Sequence, residues 1–532
     1  MEFIGLIDSV KSIILYVIYI RVGRYMLNKL MVHNKKNIFQ ILCIILILFS
    51  VVAIILAKLS PTVGYESSIY KSTPILVWVS IVSLIIGGLV IIIDQIFNEK
   101  LEQSNLWLVG FFLLFLSYTI CISLDIIRGY FMWCMEGDPA THIGYINQIL
   151  YAGHFPAQLF YPALHIYVSQ VCLVSNINII ILHKILPLIF GILYIPFVYL
   201  FLKSVFSDKN QIILSTIAGS TLINGSYLNF TPNGLSNLFF PLLLFILLKS
   251  TFIKDVRWEL LILIMAFFYP IFHPVPTLVF ILIIITLLIS RYILNRTNNI
   301  IINKDRFLRF KQSLLILVAV WSITWISSFY VWDMTIKNIY TLINEGGPSN
   351  ISLLVENINY ARGYGYNVME QVLKIIGGPL AYILIAIISL PIVWKNKDKE
   401  KLNNLLSLCS PLLSLCLLII ILYFLNLLFG PLRVVTYTTI ISSLFVGYLL
   451  NYLINKIKTV HKPIFNFGFI GLILLLFIVW INGILILYPS PYTLGTSHQT
   501  TLSEVDGINW LFGNKNLDLK RERRKSTELL NL

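Results

Sequence analysis

The feature that most constrains this chain is a series of runs of about twenty mostly apolar residues, repeated along nearly its whole length. A helix needs about 20 such residues to cross a bilayer. Hydrophobic residues make up 58% of the chain and charged residues only 12%, whereas soluble domains carry about 25% charged residues. We therefore expect an all-α, polytopic integral membrane protein with about 13 transmembrane helices and no sizeable soluble domain. The 13 runs are 39–57, 73–97, 106–126, 179–203, 211–229, 235–252, 258–273, 275–294, 313–332, 371–394, 404–428, 432–454 and 464–488.

Basic residues are concentrated in alternate loops, and this predicts a topology. The net charge is +15, but if the spans alternate in direction, most lysines and arginines fall on one side of the membrane. That bias orients a protein with its basic loops in the cytoplasm, and it argues against a nucleic-acid partner. We expect a multi-pass protein of the cell membrane with its N-terminus in the cytoplasm and its C-terminus outside.

The chain divides into three expected segments. Residues 1–38 form a cytoplasmic or interfacial N-terminal segment, residues 39–488 the transmembrane domain, and residues 489–532 an outer tail. Residues 5–20 are apolar but short, so they form either an interfacial helix or one more span. In the tail, the capping box Thr501-Leu-Ser-Glu504 predicts a short amphipathic helix at the outer interface.

Two outer segments of the transmembrane domain are long enough to have structure of their own. The segment 333–370 is rich in Gly and Tyr and predicts an irregular loop that could cover a site. The segment 127–178 carries Glu136 and Asp138, two carboxylates just outside a span. Cys134 and Cys172 also lie on the outer side and could form a disulfide, although spacing alone does not establish one.

A helix is expected to begin at Asp138, because Asp is a favoured N-cap and Pro139 is favoured at the first helical position. An apolar stripe beginning with Ile143 and Ile146 follows, and Gly153 ends the helix. His142 and Tyr145 lie near its beginning. The simplest interpretation makes Asp138 only a cap and Glu136 a solvated charge.

The wider pattern resembles the first outer loop of the GT-C superfamily of membrane glycosyltransferases, most closely its archaeal and bacterial members. The resemblance implies a GT-C-like fold with amphipathic helices in the first large outer loop. It also implies transfer of a sugar from a polyprenyl-phosphate or dolichyl-phosphate carrier to an acceptor outside the membrane. Two spans precede the one that leads into this loop, whereas many members begin with that span. The residues that carry the resemblance are Asp138, His142, Gly144, Tyr145, Gly153, Pro156, Tyr161 and Pro162.

The same resemblance implies roles for the acidic pair. A carboxylate of the first outer loop is the general base in this superfamily. Asp138 is our first choice, with Glu136 as its partner or the alternative base. His142 would orient the carboxylate or the acceptor, and Tyr145 would contact substrate. Glu136, Asp138 and His142 could also share a divalent cation such as Mg²⁺ or Mn²⁺, which some members use and others do not.

The departing lipid phosphate needs cationic or donor groups near the outer face. Arg433, in a short outer loop, is the strongest candidate, although it could be an ordinary anchor for lipid headgroups. Lys184, early in a span, could instead extend to the headgroups. His273, at an outer turn between two spans and followed by Pro274 and Pro276, and Arg362, in the segment 333–370, are further candidates.

Other classes of membrane protein compete with this hypothesis. Ion-coupled transporters usually place ionisable groups near the membrane midplane, and here the acidic residues fall at span ends. A flippase or polymerase of lipid-linked glycans would share the substrate and the side of action. The acceptor, whether glycan, lipid or protein, and the identity of the sugar stay open at the level of sequence.

Overall fold

The computed structural model describes residues 35–98, 105–134, 138–221, 228–253, 255–298, 304–345, 350–396, 399–424, 430–459 and 462–514. Almost all of these residues are helical. The first half contains α1 to α10 and one short strand: α1 (Lys35–Leu59), α2 (Ile69–Ser72), α3 (Ile75–Phe97), α4 (Leu106–Ile122), α5 (Leu124–Ile127), β1 (Met132–Trp133), α6 (Asp138–Ala152), α7 (Ala163–Ser175), α8 (Ile179–Val205), α9 (Lys209–Ser220) and α10 (Pro232–Phe252).

The second half contains α11 to α21, a short 3₁₀ turn and a second strand. These are α11 (Val256–Phe272), α12 (Pro274–Asn298), α13 (Lys304–Ser327), α14 (Val331–Glu345), α15 (Asn350–Gly363), α16 (Val368–Lys395), α17 (Lys399–Ser407), α18 (Cys409–Phe424), α19 (Pro431–Lys458), α20 (Lys462–Leu485), the 3₁₀ turn Pro491–Thr493, β2 (Gln499–Thr500) and α21 (Leu502–Gly513).

Each of the 13 predicted apolar runs is helical over most of its described residues, so the protein is an all-α, polytopic membrane protein. Ten helices in the described ranges are long and apolar enough to cross a bilayer. The other three, α4, α9 and α11, have 17, 12 and 17 residues. Helix α9 ends at Ser220, and Ser220 and Thr221 donate their side-chain hydroxyls to carbonyl oxygens of the preceding turn.

The segment 333–370 is not an irregular loop, and that prediction is wrong for most of its length. It contains most of α14 and all of α15. Ile336, Ile339 and Ile343 follow one another at helical spacing, which is the signal of an amphipathic helix. Of the described Gly and Tyr residues that suggested a loop, all but Tyr340 lie at the end of α15 or in the turn after it.

Two short strands join segments that are far apart in the sequence. β1 and β2 pair antiparallel, with Met132 opposite Thr500 and Trp133 opposite Gln499. The tail and the acidic segment therefore lie on the same side of the bundle, as the expected topology requires. The capping box predicted at Thr501 and Glu504 is present at the start of α21. The interfacial helix predicted over 5–20 falls outside the described ranges.

Candidate functional site

A cavity of about 740 Å³ opens where α6, the beginnings of α10 and α19, the first half of α16, the end of α20 and the tail segment meet. Four of the sequence-predicted site residues line it together: Asp138, His142, His273 and Arg433. Asp138 and Arg433 are the charged side chains among the described lining residues. The cavity thus holds one carboxylate, one guanidinium and several imidazoles.

Asp138 reaches the cavity because α6 begins at this residue, as predicted. Its side chain is exposed, while Pro139 beside it is buried. Ile143 and Ile146 bury the opposite face of the helix and fix its rotation. Gly153 ends the helix with φ +77°, a backbone conformation that glycine adopts without strain.

His142 lies one turn after Asp138 and contacts a second buried histidine. Its Nδ1 is 2.9 Å from Nε2 of His165. Burial lowers the pKa of His142 to about 4, and the charge of Asp138 opposes this only in part. Burial, followed by the proximity of His142, lowers the pKa of His165 to about 3. Both imidazoles are therefore neutral at pH 7, and one must donate a hydrogen to the other. Tyr145 does not line the cavity; its ring packs against both histidines, 6.4 Å and 5.8 Å between ring centroids.

Tyr161 connects the histidine pair to the phosphate-binding candidates. Its ring lies 6.0 Å from that of His142 and 5.4 Å from that of His273, measured between centroids. Burial raises the pKa of Tyr161; the charge of Asp138 adds to this rise, and Arg433 opposes it. The carboxylate of Asp138 and the guanidinium of Arg433 therefore both lie near enough to Tyr161 to affect its hydroxyl.

His273 and Arg433 are held by helix beginnings. His273 sits between α11 and α12, where its Nδ1 accepts a hydrogen bond from Val275 N (3.3 Å). That bond leaves Nε2 as the ring nitrogen available to a ligand. Arg433 is the third residue of α19, a helix buried for nearly all its length. No salt bridge to Arg433 is found in the part of the chain that the structure describes, so its charge is available to an anion.

The tail supplies a cavity wall that the sequence did not predict. His498 lines the cavity, and its Nδ1 lies 3.0 Å from Cys134 Sγ. The backbone N–H of Cys134 donates to the carbonyl oxygen of His498 (2.7 Å). Neither Cys134 nor Cys172 is in a disulfide, so the suggested bond between them is not formed. These contacts join residues 364 positions apart, and no local pattern in the sequence indicates them.

A buried ion pair holds this wall in place. Arg128 donates to both carboxylate oxygens of Glu66, at 2.6 and 2.7 Å. The tail binds to the same region through Gln499. Glu66 N donates to Gln499 Oε1 (2.7 Å), and Gln499 Nε2 donates to Gly64 O (2.8 Å). The segment before α2, the segment around β1 and the tail are therefore clamped together.

The remaining predicted residues lie elsewhere. Lys184 Nζ donates to Tyr130 O (3.1 Å), and it lines a separate cavity of about 30 Å³ together with Asp125. Arg362 is exposed near the end of α15 and does not line the large cavity. Glu136 falls outside the described ranges.

The described residues do not assemble the suggested metal site. Across the ranges that the structure describes, no three His, Cys, Asp or Glu side chains converge as metal ligands. Asp138 and His142 supply two of the three suggested ligands, and the third is Glu136. His142 also commits one ring nitrogen to His165.

Comparison with known proteins finds similarity among solved structures. No protein-family model matches the chain, and no curated protein matches it. Among solved structures, the chain is similar to the crystal structure of the Archaeoglobus fulgidus oligosaccharyltransferase complex with Zn and sulfate, at 14% sequence identity and a TM-score of 0.45. The similarity covers 76% of this chain and 56% of the archaeal chain, so this protein spans little more than half the length of that enzyme. At this level, the likeness says nothing about substrate or reaction.

Proposed function

We propose that this protein is a GT-C-type membrane glycosyltransferase that takes a sugar from a polyprenyl-phosphate or dolichyl-phosphate donor. The observation that carries the proposal is the cavity shared by Asp138 and Arg433. Sugar transfer from a lipid phosphate needs a base for the acceptor and a cation for the departing phosphate. This cavity offers one of each, at the side of the bundle where the acidic segment and the tail meet.

Asp138 is the proposed general base. As the acceptor oxygen or nitrogen attacks the anomeric carbon, its proton passes to the Asp138 carboxylate. The bond between the anomeric carbon and the phosphate oxygen breaks, and its electron pair leaves with the lipid phosphate. Attack opposite the leaving group inverts the anomeric configuration. The neutral imidazole of His142 would orient the carboxylate or the acceptor, and Glu136 stays a partner or alternative base.

Arg433 is the proposed partner of the donor phosphate, assisted by Nε2 of His273. A guanidinium binds phosphate through two parallel N–H groups, and charge-assisted hydrogen bonds of this kind are about twice as strong as neutral ones. The unpaired state of Arg433 among the described residues supports this role. Lys184 and Arg362 have no part in the proposal, because neither lines the cavity.

The reaction is proposed to take place at the outer face of the cell membrane, with the N-terminus in the cytoplasm and the C-terminus outside. The alternating distribution of basic loops supports this orientation. The pairing of β1 with β2 adds that the tail and the acidic segment share one side. The acceptor is a glycan, a lipid or a protein on that side.

The test is transfer of radiolabelled sugar from mixed polyprenyl-phosphate donors in membranes that contain wild type, Asp138→Asn or Glu136→Gln. Loss of a general base lowers the rate by about 100- to 10,000-fold. Asp506→Asn is the matched control, because it removes an exposed carboxylate of α21 that does not line the cavity. Equal transfer by all four proteins would refute the carboxylate mechanism, and no transfer by any would favour a flippase or polymerase.

A further inference from the structure

The cavity changes character along α19. Arg433, Thr436 and Thr439 all line it, at three-residue spacing on one face of the helix. Because a helix rises 1.5 Å per residue, Thr439 lies about 9 Å further along the axis than Arg433. The charged guanidinium thus lies at the beginning of the helix, and the neutral threonine hydroxyls lie further along it toward the centre of the bundle.

The threonine hydroxyls in the inner part of the cavity, beyond Arg433, already donate hydrogen bonds to backbone carbonyl oxygens. Thr439 Oγ1 donates to carbonyl oxygens of its preceding turn, at 2.7 and 3.0 Å. Thr221 Oγ1 donates to the carbonyl oxygen of Ala218 at 2.7 Å, and it can accept from the Tyr382 hydroxyl at 3.1 Å, which leaves one lone pair for a ligand. A hydroxyl has one proton and two lone pairs, so these threonines offer a ligand mainly hydrogen-bond acceptors.

Amide side chains add more acceptors. Asn482 and Asn229 line the cavity, and the Oδ1 atom of each has no hydrogen-bond partner. The Nδ2 of Asn482 is already committed to Lys374 O at 3.0 Å. A buried acceptor without a partner carries an uncompensated desolvation cost, and a ligand rich in O–H donors would recover part of this free energy.

We infer that this inner part of the cavity, lined by Thr221, Thr439, Asn229 and Asn482, binds an uncharged sugar ring and excludes sugar acids. The inference rests on the proposed function, and it names the class of donor. Sugar hydroxyls would donate to the threonine and asparagine oxygens. A uronic acid would instead place its carboxylate beside the lone pairs of these oxygens. No cation among the described residues that line this part would offset the repulsion. An unpaired buried charge is far more costly than an unpaired dipole.

The experiment compares matched donors that differ only at C6. Polyprenyl phosphates that carry glucose, mannose or galactose are set beside those that carry the corresponding uronic acids, and beside polyprenyl phosphate alone. Binding to the full-length protein in lipid nanodiscs and transfer of the sugar are measured separately. We expect the best neutral donor to bind at least about 100-fold tighter than its uronic acid, a ratio that polar mismatches in built sites reach. It should also bind tighter than the bare lipid phosphate.

A variant that adds a cation should weaken the preference for neutral donors. Asn233→Lys introduces a positive charge at the cavity wall, and Gln158→Lys adds the same charge at an exposed position that does not line the cavity. Only the first should narrow the gap between neutral and acidic donors. If Asn233→Lys does not fold, the wild-type comparison decides by itself.

The outcomes separate the two proposals. Uronic acids that bind within about threefold of their neutral partners, or neutral donors that bind no tighter than the bare lipid phosphate, would overturn the inference about the sugar. The predicted binding preference without any transfer would leave that inference standing and defeat the glycosyltransferase proposal.

Discussion

Removing the charge of Glu66 is the perturbation for which the structure gives the clearest magnitude. The Arg128 and Glu66 side chains are only 2% and 12% exposed, and their closest atoms lie 2.6 Å apart. Tyr130 donates its hydroxyl to the same carboxylate. Glu66→Gln would keep the size of the side chain and leave the guanidinium buried without its counter-charge.

Breaking one partner of a buried ion pair costs about 3–5 kcal/mol. Glutamine still accepts one hydrogen bond, so the lower value of about 3 kcal/mol applies. At 1.36 kcal/mol for each factor of ten, local opening of the clamp should become about 150-fold more frequent. The backbone amides of Cys134 and Glu66 report this opening, because each bonds across the clamp to the tail at 2.7 Å.

Amide hydrogen exchange of peptides that contain residues 66, 134 and 499–500 measures the change. Glu370→Gln is the control, since the Glu370 side chain is 56% exposed and loss of its i,i+4 pair with Lys374 should change exchange by no more than about twofold. If Glu66→Gln exchanges within about threefold of wild type, the buried pair does not hold the tail in place.

Three further predictions concern the cavity and its supports. Arg433→Gln should lower the rate of sugar transfer by about 10- to 100-fold, because it removes a charge-assisted hydrogen bond. Arg433→Lys keeps the charge and should retain part of the rate. Steady-state kinetics over donor concentration distinguish the two variants. The pKa values of His142 and His165, about 4 and about 3, lie below the usual 6.5, so the unfolded chain binds more protons and stability should fall as the pH drops from 6.5 toward 4. Thermal unfolding from pH 7 to 4 checks this, and a double variant with both histidines replaced by Gln should show a flatter dependence. Gly483→Ala would put a Cβ 2.6 Å from a facing backbone carbonyl oxygen, whereas Gly471→Ala on the same helix meets nothing; only the former should lower the melting temperature, by the equivalent of about 1–3 kcal/mol.

Local signals in the sequence predicted local structure well. The beginning of α6 at Asp138, its end at Gly153 and the capping box at Thr501 each depend on residues within one turn of the helix end. Such signals act through hydrogen bonds to neighbouring backbone groups, so they can be read without knowledge of the fold.

Contacts between distant segments could not be read in the same way. The approach of His498 to Cys134 depends on how the whole bundle folds, and nothing near either residue indicates it. The separation of Lys184 from the cavity has the same origin: its position in the span predicted the depth, but the rotation of α8 decides which cavity it reaches. Amphipathic spacing in α14 was present in the sequence, but the Gly and Tyr residues after it obscured the signal.

The clamp between the segment around β1 and the tail also sets the order of events during biosynthesis. Cys134 emerges from the ribosome long before His498, its partner 364 residues later. At about 5–20 residues per second, the interval is roughly 20–70 s. Throughout that time Asp138 lies beside newly inserted helices in a cavity that still lacks the wall formed by the tail. The wall that completes the cavity is added only after the last spanning helix, so a nascent chain has no finished site with which to act on the lipid carriers around it.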